Sequence, residues 1–87
     1  MSVEERIGQY LAENLLFSDS GYPYSYDTSL LGEGIIDSMG VMEMVNFVGS
    51  EFGIAIDPLE VTPDNFDSVT KVSNYIRKKQ GAGAAAT

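Results

Sequence analysis

Eighty-seven residues, 44% of them apolar and with a formal net charge of -8, describe one small acidic domain with room for a single core. Without cysteine there is no disulfide framework and no thiolate zinc site. Without histidine there is no Ser-His-Asp or Cys-His nucleophile and no imidazole ligand, so neither catalytic nor metal-binding residues are expected.

Ser2 and Glu5 have the spacing of a capping box and open an amphipathic helix over about residues 3–16, with Val3, Ile7, Tyr10, Leu11 and Leu15 on its apolar face. Residues 17–36 carry Ser18, Asp19, Ser20, Gly21, Pro23, Ser25, Asp27, Gly32 and Gly34, a composition that breaks regular structure. A connection this long inside a small domain needs a reason. Leu30-Leu31 and Ile35-Ile36 could pin it across the helix ends. Tyr22, Tyr24 and Tyr26 alternate, but Pro23 between them favours an extended, partly buried loop over a strand. Asp19, Asp27 and Glu33 lack the spacing of a calcium loop.

Asp37 reads as the N-cap of a second helix with Ser38 at its first position. Val41, Met44, Val45, Val48 and Phe52 form its buried stripe, and Gly53 ends it. Ile54 and Ile56 lead through a linker holding Pro58 to Thr62-Pro63-Asp64-Asn65-Phe66, a capped, proline-started turn of helix with Phe66 inward. Asp64 and Asp67 read as helix-start charges rather than a catalytic pair. A last helix over about 68–79 buries Val69, Val72, Tyr75 and Ile76. Arg77, Lys78 and Lys79 suit its negative end, and Gly81 stops it. The fold expected is all-α: a small antiparallel bundle of three longer helices plus one short helix, with the long loop between the first and second. Residues 1–80 form the domain and 81–87 a flexible tail.

No apolar run approaches the roughly 20 residues of a membrane span, and no basic start leads into an apolar signal core, so the chain is read as cytoplasmic, without membrane insertion. The five basic residues are Arg6, Lys71, Arg77, Lys78 and Lys79, so the stretch from 7 to 70 has none and is rich in Asp and Glu. Such a surface repels phosphate backbones and anionic lipid, which argues against nucleic acid, and it attracts basic patches on other proteins. Acidity that only keeps a small protein soluble is the competing explanation.

Ser38 draws the functional argument. A hydroxyl at a helix start lies near unpaired N–H groups and the positive dipole end, which tolerate an added phosphate. With no base available to take its proton, Ser38 cannot act as a nucleophile by itself. If it does chemistry, another enzyme acts on it. Position and spacing alone favour a plain solvated serine after an aspartate cap. Met39 and Met42 shift that balance, because they fall on the side of the helix away from the buried stripe. Exposed methionines are soft contact surface, although Met42 could equally fill the edge of the core. With Glu43 they form an apolar and acidic patch around the serine.

Leu31-Gly32-Glu33-Gly34-Ile35-Ile36-Asp37-Ser38-Met39 resembles the attachment-site motif of acyl and peptidyl carrier proteins, in which Asp-Ser precedes a large apolar residue. The resemblance continues through Glu51-Phe52-Gly53-Ile54 and Ile56 and from Phe66-Asp67-Ser68-Val69 to Tyr75-Ile76, covering about residues 3–79. It implies that Ser38 takes 4′-phosphopantetheine from coenzyme A through a phosphopantetheinyl transferase, with Asp37 as its neighbour at the transferase site. The arm's thiol then holds an acyl or aminoacyl group as a thioester. Met39, Met42 and Glu43 become the partner-recognition face. An acyl- or aminoacyl-adenylating ligase and a downstream acyltransferase or condensing enzyme are the implied partners of a monomeric carrier. Fatty-acid-synthesis carriers place acidic residues where this chain has Gly40, Asn46, Gly49 and Ser50. Asp37-Ser38-Met39-Gly40 is more similar to D-alanyl carrier proteins and other stand-alone carriers of specialised metabolism. The alternative is an acidic interaction module of the same fold with Ser38 unmodified. An enzyme has little support, since no acid–base or nucleophile set converges.

Overall fold

Local capping decides where the first helix begins. In the computed structural model, which describes residues 2–86, the Ser2 hydroxyl accepts from the Glu5 N–H at 3.1 Å, and Glu5 Oε1 accepts from the Ser2 N–H at 3.1 Å. This reciprocal pair starts α1 (Val3–Asn14) as the sequence predicts. The helix ends two residues before the expected position 16. Leu16 N–H reaches back to the Leu11 carbonyl at 2.8 Å and Ser18 N–H to the Ala12 carbonyl at 2.7 Å. That wide turn lifts the chain off the helix axis and leaves Phe17 at φ 52°.

α2 (Ser38–Phe52) runs antiparallel to α1. Tyr10 stacks on Phe47 with ring centroids 4.0 Å apart, and the Arg6 guanidinium lies over the same ring. Arg6 also pairs with Glu51. Met44, Val45 and Val48 of the predicted stripe are buried, while Val41 and Phe52 pack half-buried at its two ends. Gly53 caps the helix at φ 63°, a left-handed conformation that strains any residue with a Cβ. The linker forms a 3-10 turn, Pro58–Glu60, around the proline noted in the sequence. Asp57 makes it regular by accepting from the Leu59 N–H at 2.9 Å, and Pro58 pre-sets the backbone.

α3 (Pro63–Phe66) is the single proline-started turn expected, and Phe66 is buried. Thr62 stands at its N-cap position, but its side chain makes no capping bond. Backbone bonds from Asn65 and Phe66 to the Thr62 carbonyl close the turn instead. α4 (Val69–Ala86) is capped by Ser68, whose hydroxyl accepts from the Lys71 N–H at 3.0 Å. It starts at the same end of the molecule as α2, packs on α1 and buries Val69, Val72, Tyr75 and Ile76.

The end of α4 differs from expectation. Gly81 does not stop the helix, which continues to Ala86. Four of the five residues that follow Gly81 within it are alanine, the strongest helix former, and Gly81 and Gly83 each cost only about 1 kcal/mol against that. Met1 and Thr87, the outer ends of the expected 1–80 and 81–87 divisions, lie outside the described residues. Arg77, Lys78 and Lys79 therefore sit mid-helix rather than at its negative end. Arg77 pairs with Glu4 of α1 and Lys79 with Glu60 of the 3-10 turn. Tyr75 also donates to Glu60, at 2.8 Å.

The long loop, residues 15–37, is held by one side chain that the sequence reading assigned otherwise. Asp67 is less a helix-start charge than a clamp. Its carboxylate accepts from the Ser29 hydroxyl at 2.6 Å and from the Leu31 N–H at 2.9 Å, and its carbonyl accepts from the Leu30 N–H at 2.8 Å. Leu30 is thereby driven fully into the core, with Ile36 beside it, while Leu31 stays exposed. Tyr22 and Tyr26 lie over α1 at Gly8, where a Cβ would come within 3.3 Å of Tyr22.

Burial alone would raise the Asp67 pKa. The Ser29 hydroxyl, the Leu31 N–H, the charge of Lys71 and the Leu30 N–H outweigh it and hold the carboxyl below its usual range. A depressed carboxylate pKa contributes stability above the unfolded pKa of about 3.9, and that contribution fades as pH falls through the folded value. Asp67→Ala should therefore cost about 1.5–3 kcal/mol at neutral pH in urea denaturation. The gap from wild type should narrow once the pH drops below about 4. A gap that stays constant into acid would show that the carboxylate charge is not what holds the loop.

Candidate functional site

Asp37 and Ser38 sit where the pinned loop meets α2. Asp37 has extended backbone (φ -103°, ψ -174°), and its Oδ1 accepts from the Gly40 N–H at 2.9 Å, as an N-cap does. The first helical backbone donor is Val41 N–H, bonded to the Asp37 carbonyl at 3.0 Å, so the Ser38 and Met39 N–H groups precede the helical ladder. Ser38 occupies the first turn with its hydroxyl exposed to solvent.

Gly40 has a packing reason to be glycine. A Cβ there would lie 3.0 Å from Ile36 Cβ and 3.5 Å from Asp37 Oδ1. The first turn of α2 thus closes tightly onto Ile36, which would have to give by a few tenths of an ångström to admit a Cβ at 40, while the distance to the Asp37 cap is an ordinary contact. The sequence comparison with fatty-acid carriers reads this position as a missing charge; the structure adds a close packing contact with Ile36.

Met39 and Met42 project outward, 75% and 53% exposed, and Glu43 is exposed beside them. The structure therefore brings together all five residues singled out in the sequence, Asp37, Ser38, Met39, Met42 and Glu43, at one end of the bundle. Ser38, Met39, Met42, Glu43 and Asn46 line one shallow surface groove. On the other side of Ser38 lies a second cleft of about 220 Å³, which the sequence reading missed. Leu31 forms one wall, Val41 and Met42 another, and Val61, Thr62 and Pro63 the third, with Phe66 among its lining residues. Pro63 marks a helix start in the sequence, but nothing local says that this turn folds back over Ser38.

The charges separate along the bundle. The ion pairs Arg6–Glu51 and Arg77–Glu4 lie near the N-terminal end of α1, away from Ser38. Glu33, Asp37 and Glu43 face solvent around the serine. Among the described residues no group of three or more His, Cys, Asp or Glu side chains could hold a metal ion, and no helix is long and apolar enough to cross a membrane.

The sequence is similar to those of known carrier proteins, two of them over almost its whole length. The chain is 34% identical to the D-alanyl carrier protein of Abiotrophia defectiva over 92% of its own length and 99% of the relative's. It is 29% identical to the D-alanyl carrier protein of Streptococcus pyogenes serotype M1, covering 94% of this chain and all of that one. Aminoacyl carrier protein 2 of Bradyrhizobium diazoefficiens matches at 35% over 56% of this chain and 55% of the relative. No family model matches the chain.

The chain belongs to the acyl/peptidyl carrier protein family. It is a carrier and not itself an enzyme. Its all-helical architecture, with four α-helices among the described residues and the long loop between α1 and α2, is that of the family. A carrier is acted upon, and what its site must offer is access and a rigid mount.

Proposed function

We propose that Ser38 is the attachment point of a 4′-phosphopantetheine arm and that the loaded carrier holds a small acyl or aminoacyl group for a partner adenylating ligase and a downstream acyltransferase or condensing enzyme. One observation carries the reading: a solvent-exposed hydroxyl on the first turn of a rigidly capped helix, between an apolar cleft and an exposed methionine face. Attachment forms a bond from Ser38 Oγ to the pantetheine-bearing phosphorus of coenzyme A and breaks that phosphorus's bond to the bridging oxygen of the diphosphate. The adenosine bisphosphate leaves with that oxygen, and the hydroxyl proton passes to a base on the transferase. The arm supplies the thiol that this chain lacks, to which cargo is held as a thioester.

The residues present suit that group. The helix start offers N–H groups and a positive dipole end to the phosphodiester, and Asp37 keeps the first turn in register by capping Gly40. The names of the relatives, D-alanyl and aminoacyl carriers, agree with a small cargo. Loading takes place in specialised rather than housekeeping metabolism under this reading, and the carrier works as a cytoplasmic monomer.

Incubation with coenzyme A and a broad-specificity phosphopantetheinyl transferase, followed by intact mass, tests the assignment. One phosphopantetheine should be added, mapping to the peptide that holds Ser38. No gain would leave the acidic interaction module as the better reading. The methionine face has its own test. Met42→Glu should lower the rate of attachment or loading about tenfold, because a charge placed among apolar contacts must be desolvated. Helicity by circular dichroism should be unchanged, since Met42 is half exposed. A loss of helicity would make Met42 a core residue instead.

A further inference from the structure

Phe17 combines two features that the fold leaves unexplained. Its φ of 52° lies in the left-handed region, which is unfavourable for a bulky side chain and costs nothing at glycine. Strain of this kind persists where the surroundings compensate for it, yet the Phe17 ring is 80% exposed and gains little packing within the chain. An aromatic ring is thus held out into water at a position where a glycine would end α1 with less strain.

Its place in the fold suggests what covers it. Leu15, at the end of α1, lines a crevice with Ile35, Ile36, Asp37 and Gly40. Phe17 is two residues further on, within about 7 Å of Leu15 along the backbone. The end of α1 and the start of α2 therefore adjoin at that crevice, and the exposed apolar side chains of Phe17 and Met39 and the exposed carboxylates of Asp19, Asp37 and Glu43 belong to the segments that border it.

We propose that Phe17 is a docking residue for the transferase that attaches the arm at Ser38. The proposal rests on the reading of Ser38 given above. Of the partners such a carrier meets, this enzyme alone must bring its own reacting groups onto Ser38 Oγ; the others reach the far end of a long arm. Its footprint is therefore centred on Ser38. A standard interface of about 800 Å² per partner is a disc of about 16 Å radius, wide enough to take in the end of α1. Aromatic and methionine side chains are enriched in the buried centres of interfaces, and charged groups lie at their rims. The partner that fits presents an apolar pocket for the ring, edged by lysine or arginine opposite the carboxylates.

The test compares wild type, Phe17→Gly and Phe17→Leu in the coenzyme A attachment assay, with thermal unfolding in parallel. Phe17→Gly should lower kcat/KM about tenfold, chiefly through KM, while its Tm stays level or rises by up to about 4–8 °C as the strain is released. Phe17→Leu keeps an apolar side chain and should recover most of the rate. A Phe17→Gly protein that is modified as fast as wild type overturns the proposal, as does one whose slower reaction accompanies a lower Tm, which would make the ring structural. A wild-type chain that takes up no arm overturns the Ser38 reading, and the proposal with it.

Discussion

Ser38→Ala should take up no phosphopantetheine under conditions that fully modify the wild type, and it should unfold within a few degrees of the wild-type Tm. Under the proposed attachment the loss is all-or-none, because the bond to the arm would be made at the Ser38 hydroxyl oxygen, which alanine lacks. The unchanged stability follows from the local structure. Ser38 is exposed, α2 is capped through Asp37 and not through Ser38, and alanine is a good helix former at this position. A change within about 0.5 kcal/mol is usual for such a surface site, equivalent to roughly 2–4 °C in a domain of this size. Intact mass and thermal unfolding on the same sample keep the two effects apart. A mass gain that survives the substitution would place the arm on another hydroxyl.

The second large effect is on the fold beneath the site. Phe66→Ala should cost about 3–5 kcal/mol, read as the shift in urea midpoint. An 87-residue domain has only about 4–13 kcal/mol in total, so the variant should be close to unfolding at ambient temperature. The reason is specific to α3. Its four residues cannot form a stable helix alone, and Phe66 is the side chain that fixes them to the core, 2% exposed with its ring 5.0 Å from that of Tyr75. The same residue lines the cleft beside Ser38, so losing it removes both the anchor of α3 and a wall of the cleft. Phe66→Leu fills more of the space and should retain the fold with a wider cleft. A cost below about 1 kcal/mol for the alanine variant would mean that α3 does not dock on the core through this ring.

The features that could be read from the chain are those made between near neighbours. The Ser2–Glu5 capping box, the Asp37 cap on Gly40 and the Gly53 stop each span four residues or fewer, and the buried faces of α2 and α4 follow from the helical period. The exposure of Met39 and Met42 follows from the same period, by subtraction from the stripe. Where local rules competed, the stronger one was not always evident. Gly81 signals a stop, but the alanines after it carry α4 onward, and Thr62 has a capping side chain that the turn does not use. Phe17 had no signal beyond the lack of any glycine between the first helix and Gly21.

By itself the sequence determined the helical class and the positions of the main caps, which are statements about composition or about residues within a few positions of one another. It pointed to Ser38 as a candidate only when Met39, Met42 and a family resemblance over about residues 3–79 were added to its position. Only the tertiary structure decided what surrounds that serine. Asp67 reaches back 36 and 38 residues to hold Leu31 and Ser29, the Pro58–Glu60 turn is tied to α4 through Glu60 and Tyr75, and α3 folds over to close the cleft. The physical reason is that hydrogen bonding and burial act on distance in space, and distance along the chain says little about it once a 20-residue loop intervenes.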